Sequence, residues 1–273
     1  MKRLSSKPKM RRGFSLLEIM VVIGILSIVM AVVFTQINLV QKRYRTEEMK
    51  LDLTQESREF MDQIVRDMHS IGYPTSKMYS TAVLGTPVNN DSKVAVGLVR
   101  ANYDELWFEG DVDGDGQVDV INYKLQADSV TGNCPCRVSR SQFSPKSNGV
   151  APLSQTIQYN MELTDVINSG GAGGNSSGVA KYTITGSSSV VGGSTQTNDS
   201  LFANYKTANL FTYYDADGNA VNTGDISTTA GVTNLAKIKV IRINLNVLGR
   251  QGDLQTGVRP VMSYSAAVRL PNQ

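Results

Sequence analysis

The sequence predicts an α+β protein in which one long N-terminal helix packs on a mainly antiparallel β-sheet head. Three observations predict this fold class. A strongly apolar run extends from Phe14 to Ile37. An apolar stripe with helical spacing follows it and ends at Ile71. After Pro74 the chain changes to short runs of β-prone residues that are separated by turns.

The basic charge of the chain is concentrated at its N-terminus. Residues 1–13 hold six Lys and Arg residues and no acid. Without these six, the 27 basic residues fall to 21 against 24 acidic ones, so the formal charge changes from +3 to −3. The basicity is therefore a local signal, and we expect no direct contact with nucleic acid.

Residues 14–37 have the composition of a membrane-spanning helix and read FSLLEIMVVIGILSIVMAVVFTQI. About 20 apolar residues suffice to cross the hydrocarbon core of a bilayer. The cations before this run and the acidic remainder after it predict a cytoplasmic N-terminus and an exported C-terminal part.

Three ordinary interpretations of this run compete. A secretory signal peptide would be removed after its apolar core, but the run is long and Met30-Ala31-Val32 is a poor cleavage site. A plain single-pass anchor leaves the carboxylate of Glu18 unexplained, because a charge inside an apolar helix is costly and indicates function. A buried helix of a soluble protein does not need the cationic residues that precede it.

Residues 11–18, RRGFSLLE, resemble the class III signal of type IV prepilins and type II secretion pseudopilins. That signal is a basic leader, Gly, Phe, three residues and Glu, ahead of an apolar helix. The resemblance implies that residues 1–13 are a leader that prepilin peptidase removes after Gly13. The same enzyme would then methylate the new N-terminus, Phe14.

The resemblance also implies a role in assembly for Glu18. Its carboxylate would pair with the terminal amine of a neighbouring subunit, since a buried charge is tolerated only with a partner. The implied partners are other pilins and minor pilins and an assembly platform in the inner membrane. The chain would lie in the bacterial inner membrane before assembly and in the pilus at the cell surface afterwards.

Residues 38–72 are predicted to continue the helix as an amphipathic extension. Residues 41–50, QKRYRTEEMK, are polar and favour helix. The stripe then returns, and Gly72 and Pro74 supply a stop. His69, the single histidine, is expected to be structural or solvent-facing. The stripe consists of Leu53, Phe60, Ile64, Met68 and Ile71.

Residues 75–273 are predicted to form the β-rich head, which would face the periplasm or the cell exterior. Residues 169–200 are rich in Gly, Ser, Thr and Asn and indicate a flexible insertion. The predicted strands are Val94–Val99, Tyr103–Glu109, Val118–Leu125, Thr156–Leu163, Lys181–Thr185, Leu210–Tyr214, Ile238–Val247 and Val261–Arg269.

One segment of the head has the spacing of a calcium-binding loop. Oxygen-bearing side chains recur at every second position, and Gly116 stands where such a loop turns sharply. We expect Ca²⁺ to be bound by the side chains of Asp111, Asp113, Asp115 and Asp119 and by the carbonyl of Gln117.

Two features of this segment depart from an EF-hand. Asn122 stands at the twelfth position instead of Glu, and the flanks are strand-like. A plain β-hairpin turn is the alternative, because Asp and Gly favour such turns. Residues 215–219, DADGN, are predicted to be a turn only.

Catalysis is not expected from this sequence. One histidine cannot supply a convincing nucleophilic set, and we find no phosphate-binding loop. Cys134 and Cys136 are too few for a disulfide framework or a zinc site, and whether they form a local disulfide stays open.

Beyond the N-terminus, residues 66–73 (RDMHSIGY), the Asp-rich hairpin and residues 264–272 (YSAAVRLPN) are similar to minor pilins of the PilW type. This resemblance implies a minor pilin that primes or caps pilus assembly, with adhesion and twitching motility as indirect results. A minor pseudopilin of a type II secretion system is the alternative. From another class, the alternative is a membrane-anchored, calcium-dependent adhesin that does not polymerise.

Overall fold

The structure is a computed structural model, and it describes residues 15–126, 136–168, 189–191, 194–196, 205, 208–249 and 259–271. The chain divides into two compact units, Met1–Glu47 and Glu48–Gln273. Helix α1 (Leu16–His69) contributes residues to both units.

In the first unit, α1 is apolar and open to its surroundings. Its most apolar window has a mean hydropathy of 2.8 with none of the window buried, and within the described residues no other helix is long and apolar enough to cross a membrane. Large side chains such as Leu16, Met20 and Ile28 are 75%, 67% and 68% exposed. Apolar area on this scale requires a cover of lipid or of other apolar helices.

In the second unit, the predicted stripe of α1 packs on the sheet. Phe60, Ile64 and Met68 are buried, and the ring of Phe60 meets Tyr123 edge-on with centroids 6.1 Å apart. The helix ends at His69, three residues before the predicted end at residue 72, because Ile71 forms a bridge with Gly110 instead. These contacts confirm a long helix packed on the head.

The described strands and the second helix are β1 (Leu98–Ala101), β2 (Glu105–Gly110), β3 (Asp119–Gln126), β4 (Cys136–Phe143), β5 (Tyr159–Val166), β6 (Ser189–Val191), β7 (Ser194–Gln196), β8 (Phe211–Tyr214), β9 (Gly224–Asp225), α2 (Thr229–Lys237), β10 (Val240–Leu248) and β11 (Val261–Arg269). Nine of these strands form one curled antiparallel sheet in the order β11-β10-β5-β4-β3-β2-β1-β9, with β8 also paired to β10. The antiparallel pair β6–β7 lies inside the predicted insertion, and the rest of that insertion is outside the described residues.

Most predicted strands form, and four begin two or more residues later than predicted. The strand predicted at Tyr103–Glu109 starts at Glu105, after a turn in which Asn102 N–H donates to the Glu105 carbonyl. The strand predicted at Val94–Val99 forms at Leu98–Ala101, because Ala95 N–H is bonded to the Pro74 carbonyl outside any ladder. The strand predicted at Thr156–Leu163 starts at Tyr159, after a short 3₁₀ turn at Pro152–Ser154. The strand predicted from Ile238 starts at Val240, since Ile238 caps α2.

Five of the described strands and helices were not predicted, namely β4, α2, the two-residue strand β9 and the β6–β7 pair. Cys136 begins β4 and is disulfide-bonded. Cys134, the other cysteine of the chain, lies outside the described residues, as does the strand predicted at Lys181–Thr185. In α2, the Thr228 hydroxyl accepts a hydrogen bond from Gly231 N–H as an N-cap.

The part of the sheet formed by β1, β2 and β3 is buried on both faces. One face shares the main core with α1, through residues such as Phe108, Tyr123 and Val138. The opposite face holds a smaller cluster of Val99, Trp107 and Val120, with Phe143 and Leu153 packed against it. The β2–β3 hairpin, which carries the predicted calcium loop, is therefore anchored by packing on both sides.

Candidate functional site

The N-terminal processing signal is only partly covered by the structure. Gly13 and Phe14 lie outside the described residues. Glu18 lies in the first turn of α1, where its N–H donates to the Ser15 carbonyl at 3.0 Å. Its neighbours Leu16 and Leu17 are 75% and 72% exposed. The carboxylate is thus held near the start of a helix whose apolar surface is open to a partner.

The β2–β3 hairpin positions the Asp-rich loop. Gly110 at the end of β2 pairs with Asp119 at the start of β3, so residues 111–118 close the hairpin. Within the loop, one carboxylate oxygen each from Asp111, Asp113 and Asp115 lies within 4.8 Å of the other two. The structure therefore brings together three of the five residues predicted to bind calcium.

Backbone N–H groups hold these carboxylates in place. Asp111 accepts from Gly114 N at 2.7 Å and from Gly116 N at 3.0 Å, and Asp113 accepts from Asp115 N at 3.2 Å. Gly116 has a φ of +84°, a conformation that side-chain-bearing residues seldom adopt. Gln117, whose carbonyl was predicted as a ligand, donates its side-chain amide to Asp115 at 2.9 Å.

Asp119 differs from the other carboxylates because it is fully buried. One oxygen accepts from Val112 N–H at 3.1 Å, whereas the other has no hydrogen bond of standard geometry among the described residues. Burial raises the pKa of Asp119, and the charges of Asp113 and Asp115 add to this, while the Ser144 hydroxyl and the Val112 amide oppose it. Asp119 is therefore a buried carboxylate at the base of the loop, and it is not one of the three carboxylates that converge there.

A buried ion pair, which no sequence pattern predicted, supports the base of the hairpin. Lys146 Nζ lies 2.7 Å from Glu109, and both side chains are 0% exposed. The same ammonium donates to the carbonyls of Asn89 at 2.8 Å and Val94 at 3.0 Å. Burial raises the pKa of Glu109 and Lys146 opposes this rise. No local motif signals such a pair, because its partners are far apart in sequence.

A second buried network ties α1 to the sheet. Asp67 on α1 accepts from Tyr123 Oη at 2.6 Å and from Arg140 Nε at 2.8 Å. Burial, with the charge of Asp67 added, raises the pKa of Tyr123 far above its usual range. Asp67 belongs to the segment that resembles PilW-type pilins, and no other feature of the sequence singled this residue out.

His69 lines an open cavity of about 580 Å³ with Lys239 and Arg269. The side chain is exposed, one of the two positions expected for it. Residues 215–219 form the turn that was predicted: Asp215 accepts from the N–H groups of Asp217 and Asn219 at 2.9 and 2.8 Å.

The family model of the prokaryotic N-terminal methylation motif matches residues 8–34. Neither a curated protein nor a solved structure matches the chain. The matched residues include Gly13, Phe14 and Glu18 and most of the exposed apolar part of α1. The match and the α+β fold support a protein of the type IV pilin or pseudopilin class, which carries a prepilin signal and is anchored in a membrane.

Proposed function

We propose that the chain is a minor type IV pilin, a structural subunit that helps to prime or cap pilus assembly once prepilin peptidase has cut after Gly13. One observation carries the proposal. The methylation-motif match at residues 8–34 covers the start of an exposed apolar helix, and that helix continues without interruption as the helix packed on the head. The resemblance of residues 66–73 and 264–272 to PilW-type pilins favours the minor-pilin role.

The exposed apolar surface of α1 requires an apolar environment both before and after assembly. Burying a Leu, Ile or Met side chain contributes about 1.5–3 kcal/mol. Lipid covers this surface before assembly, and the helices of neighbouring subunits cover it in a filament. Because lipid and helix bundle are both apolar, transfer between them changes the apolar term little and leaves polar pairing to set the register.

Glu18 supplies that pairing. A carboxylate within an apolar helix costs up to about 3 kcal/mol on insertion scales, which favours arrangements that give it a cation. Cleavage after Gly13 creates one, the amine of Phe14. Pairing with the amine of a neighbouring subunit then fixes the axial position of each helix. The uncut chain lacks this amine at the required depth.

The partners that follow are prepilin peptidase, other pilins and the assembly platform of the inner membrane. The N-terminus is cytoplasmic before processing, in line with the six cations of residues 1–13. The head acts as a structural subunit rather than as an enzyme. Its single histidine, His69, is exposed, and two of its interior ion pairs, Asp67–Arg140 and Glu109–Lys146, serve packing within the head.

Two other functions are compatible with the processing signal or the membrane anchor. A minor pseudopilin of a type II secretion system shares the processing signal and the fold class. A membrane-anchored adhesin that never polymerises would share the anchor only. Deletion in the host bacterium separates the first two: loss of surface pili supports the minor pilin, whereas loss of protein secretion with normal pili supports the pseudopilin.

The direct test of assembly is Glu18→Ala in the host. The variant is expected to insert and to be cut normally but to be depleted at least fivefold from pili sheared off the cells. Glu48→Ala, an exposed carboxylate further along α1, is the matched control and should be recovered as the native chain is. Equal recovery of both variants would refute the pairing argument. Absence of the native chain from sheared pili would favour one of the alternatives.

A further inference from the structure

We propose that the cavity between the end of α1 and the β10–β11 pair is a docking site for a segment of a partner protein that carries several carboxylates. The inference goes beyond the proposed function, because it concerns one surface of the head and holds equally for a pilin and a pseudopilin. The cavity has a volume of about 580 Å³ and is lined by His69, Ala216, Lys239, Arg269, Leu270 and Pro271.

The first observation is the convergence of basic side chains from separate elements. His69 is the last residue of α1, Lys239 directly precedes β10, and Arg269 is the last residue of β11. They reach one cavity although the chain without residues 1–13 has more acidic than basic residues. Because like charges repel each other, an anion between Lys239 and Arg269 stabilises this arrangement.

The second observation is that these side chains lack partners inside the head. Within the part of the chain that the structure describes, the side chains of His69, Lys239 and Arg269 make no hydrogen bond or ion pair. Other basic side chains of the head meet a carboxylate, as Arg140 and Lys146 do. The donors in the cavity are therefore available to an anion from outside.

The acids nearest in sequence do not neutralise the cavity. Asp215 and Asp217 flank Ala216, but neither lines the cavity. One oxygen of Asp215 accepts from Asp217 N–H and Asn219 N–H at 2.9 and 2.8 Å, and the other accepts from the Asn219 side-chain amide at 3.1 Å. Both oxygens of Asp215 thus serve the turn, and the ionisable side chains that line the cavity are all basic.

The backbone holds Lys239 and Arg269 in fixed positions. Lys239 N–H donates to the Tyr214 carbonyl at 2.8 Å, and the Lys239 carbonyl accepts from Leu270 N–H at 2.9 Å. Arg269 is exposed between Val268 and Leu270, which are 2% and 4% exposed. A site on paired strands needs little ordering when a ligand binds, which lowers the entropic cost of binding.

The chemistry of the lining favours carboxylates on a short protein segment. A guanidinium binds a carboxylate through two parallel hydrogen bonds, and an ammonium or an imidazole adds single donors. Ala216, Leu270 and Pro271 form an apolar wall that suits the methylene groups of Asp and Glu side chains. Nucleic acid fits less well, because it binds extended stripes of cations and an acidic chain repels it.

The test uses the mature chain in a non-ionic detergent, with hexaglutamate and hexaglutamine peptides as probes. Calorimetric titration should show binding of hexaglutamate and none of hexaglutamine. The double variant Lys239→Gln, Arg269→Gln should bind hexaglutamate about tenfold more weakly, as expected when two partly exposed charge pairs are lost. Lys239→Arg keeps the charge and should bind within about twofold of the native chain.

Sedimentation of the same proteins distinguishes two sources of the acidic segment, a second copy of this chain and a different protein. Asp113 and Asp115 are exposed, so a second copy can offer the Asp-rich loop. In that case Asp113→Asn, Asp115→Asn should lower self-association as much as the cavity variant does and leave hexaglutamate binding intact. Equal self-association of all variants, with hexaglutamate still bound, assigns the segment to a different protein.

The matched control is Arg58→Gln, Lys77→Gln. It removes one arginine and one lysine that are exposed and do not line the cavity, so the net charge changes equally. This control should bind hexaglutamate as the native chain does. Three outcomes would overturn the proposal: no binding of hexaglutamate by the native chain, equal binding by the control and the cavity variant, or tighter binding of a single-stranded oligonucleotide than of hexaglutamate.

Discussion

Replacing Lys146 with methionine removes the cation from the fully buried pair at the base of the hairpin. The side chain keeps nearly the same length, so packing is largely preserved. Three acceptors lose their donor at once: the Glu109 carboxylate at 2.7 Å and the carbonyls of Asn89 and Val94 at 2.8 and 3.0 Å. Removing one partner of a buried ion pair costs about 3–5 kcal/mol. For a head of this size, that loss lowers Tm by about 6–20 °C, at about 2–4 °C per kcal/mol.

The assay is chemical and thermal denaturation of the mature chain in detergent. Lys237→Met, at an exposed lysine at the end of α2, is the control and should change the free energy of unfolding by less than about 0.5 kcal/mol. Adding Glu109→Gln to Lys146→Met removes the unpaired carboxylate and should restore at least half of the lost stability. A Lys146→Met variant as stable as the control would refute the argument that this pair anchors the hairpin.

Two further predictions concern single residues of the head. Burial raises the pKa of Asp104 to about 6, with Glu105 adding to the rise and Lys124 and Arg100 opposing it. The folded state therefore holds the Asp104 proton more tightly than the unfolded state, and the stability that this proton contributes is lost as pH rises from about 4 to about 6. Urea unfolding at each pH should show the native chain losing about 3 kcal/mol of its free energy of unfolding over that window, relative to the Asp104→Asn variant. A constant difference between the two proteins would contradict this. Gly110→Ala should cost about 1–3 kcal/mol, because a Cβ at Gly110 would overlap the Ser70 backbone carbonyl. Gly85→Ala, where the nearest atom is at 3.4 Å, is its control, and equal melting temperatures of the two variants would be the contrary result.

Sequence patterns predicted the elements that bury one regular face. The stripe of α1 and the alternation in β11 are such patterns, and β11 was predicted with its observed bounds, Val261–Arg269. The pattern fails in β4, where interior position 140 is an arginine. Arg140 is accepted there only because Asp67 of α1 and Tyr123 of β3 lie beside it. A strand with a polar residue on its inward face lacks the alternating apolar pattern, so it can be recognised only when the distant partners of that residue are known.

The candidate site likewise contains features that a local sequence pattern predicts and features that depend on contacts between distant residues. The convergence of the carboxylates of Asp111, Asp113 and Asp115 could be predicted, because these residues are close in sequence and a single turn brings their oxygens together. The pair of Glu109 and Lys146 joins residues from different parts of the chain, so it emerges only from the folded head. Gly13 and Phe14 lie outside the described residues, and their role rests on the motif match.

The central claim is that the chain is processed as a prepilin, and the N-terminal peptide of the mature protein tests it most directly. Mass spectrometry of the membrane fraction should find a peptide that begins at Phe14 and carries one added methyl group. The Gly13→Leu variant should retain the leader and start upstream of residue 14. An unprocessed native chain, a cut after the apolar run, or a normal Phe14 terminus in the Gly13→Leu variant would contradict the account.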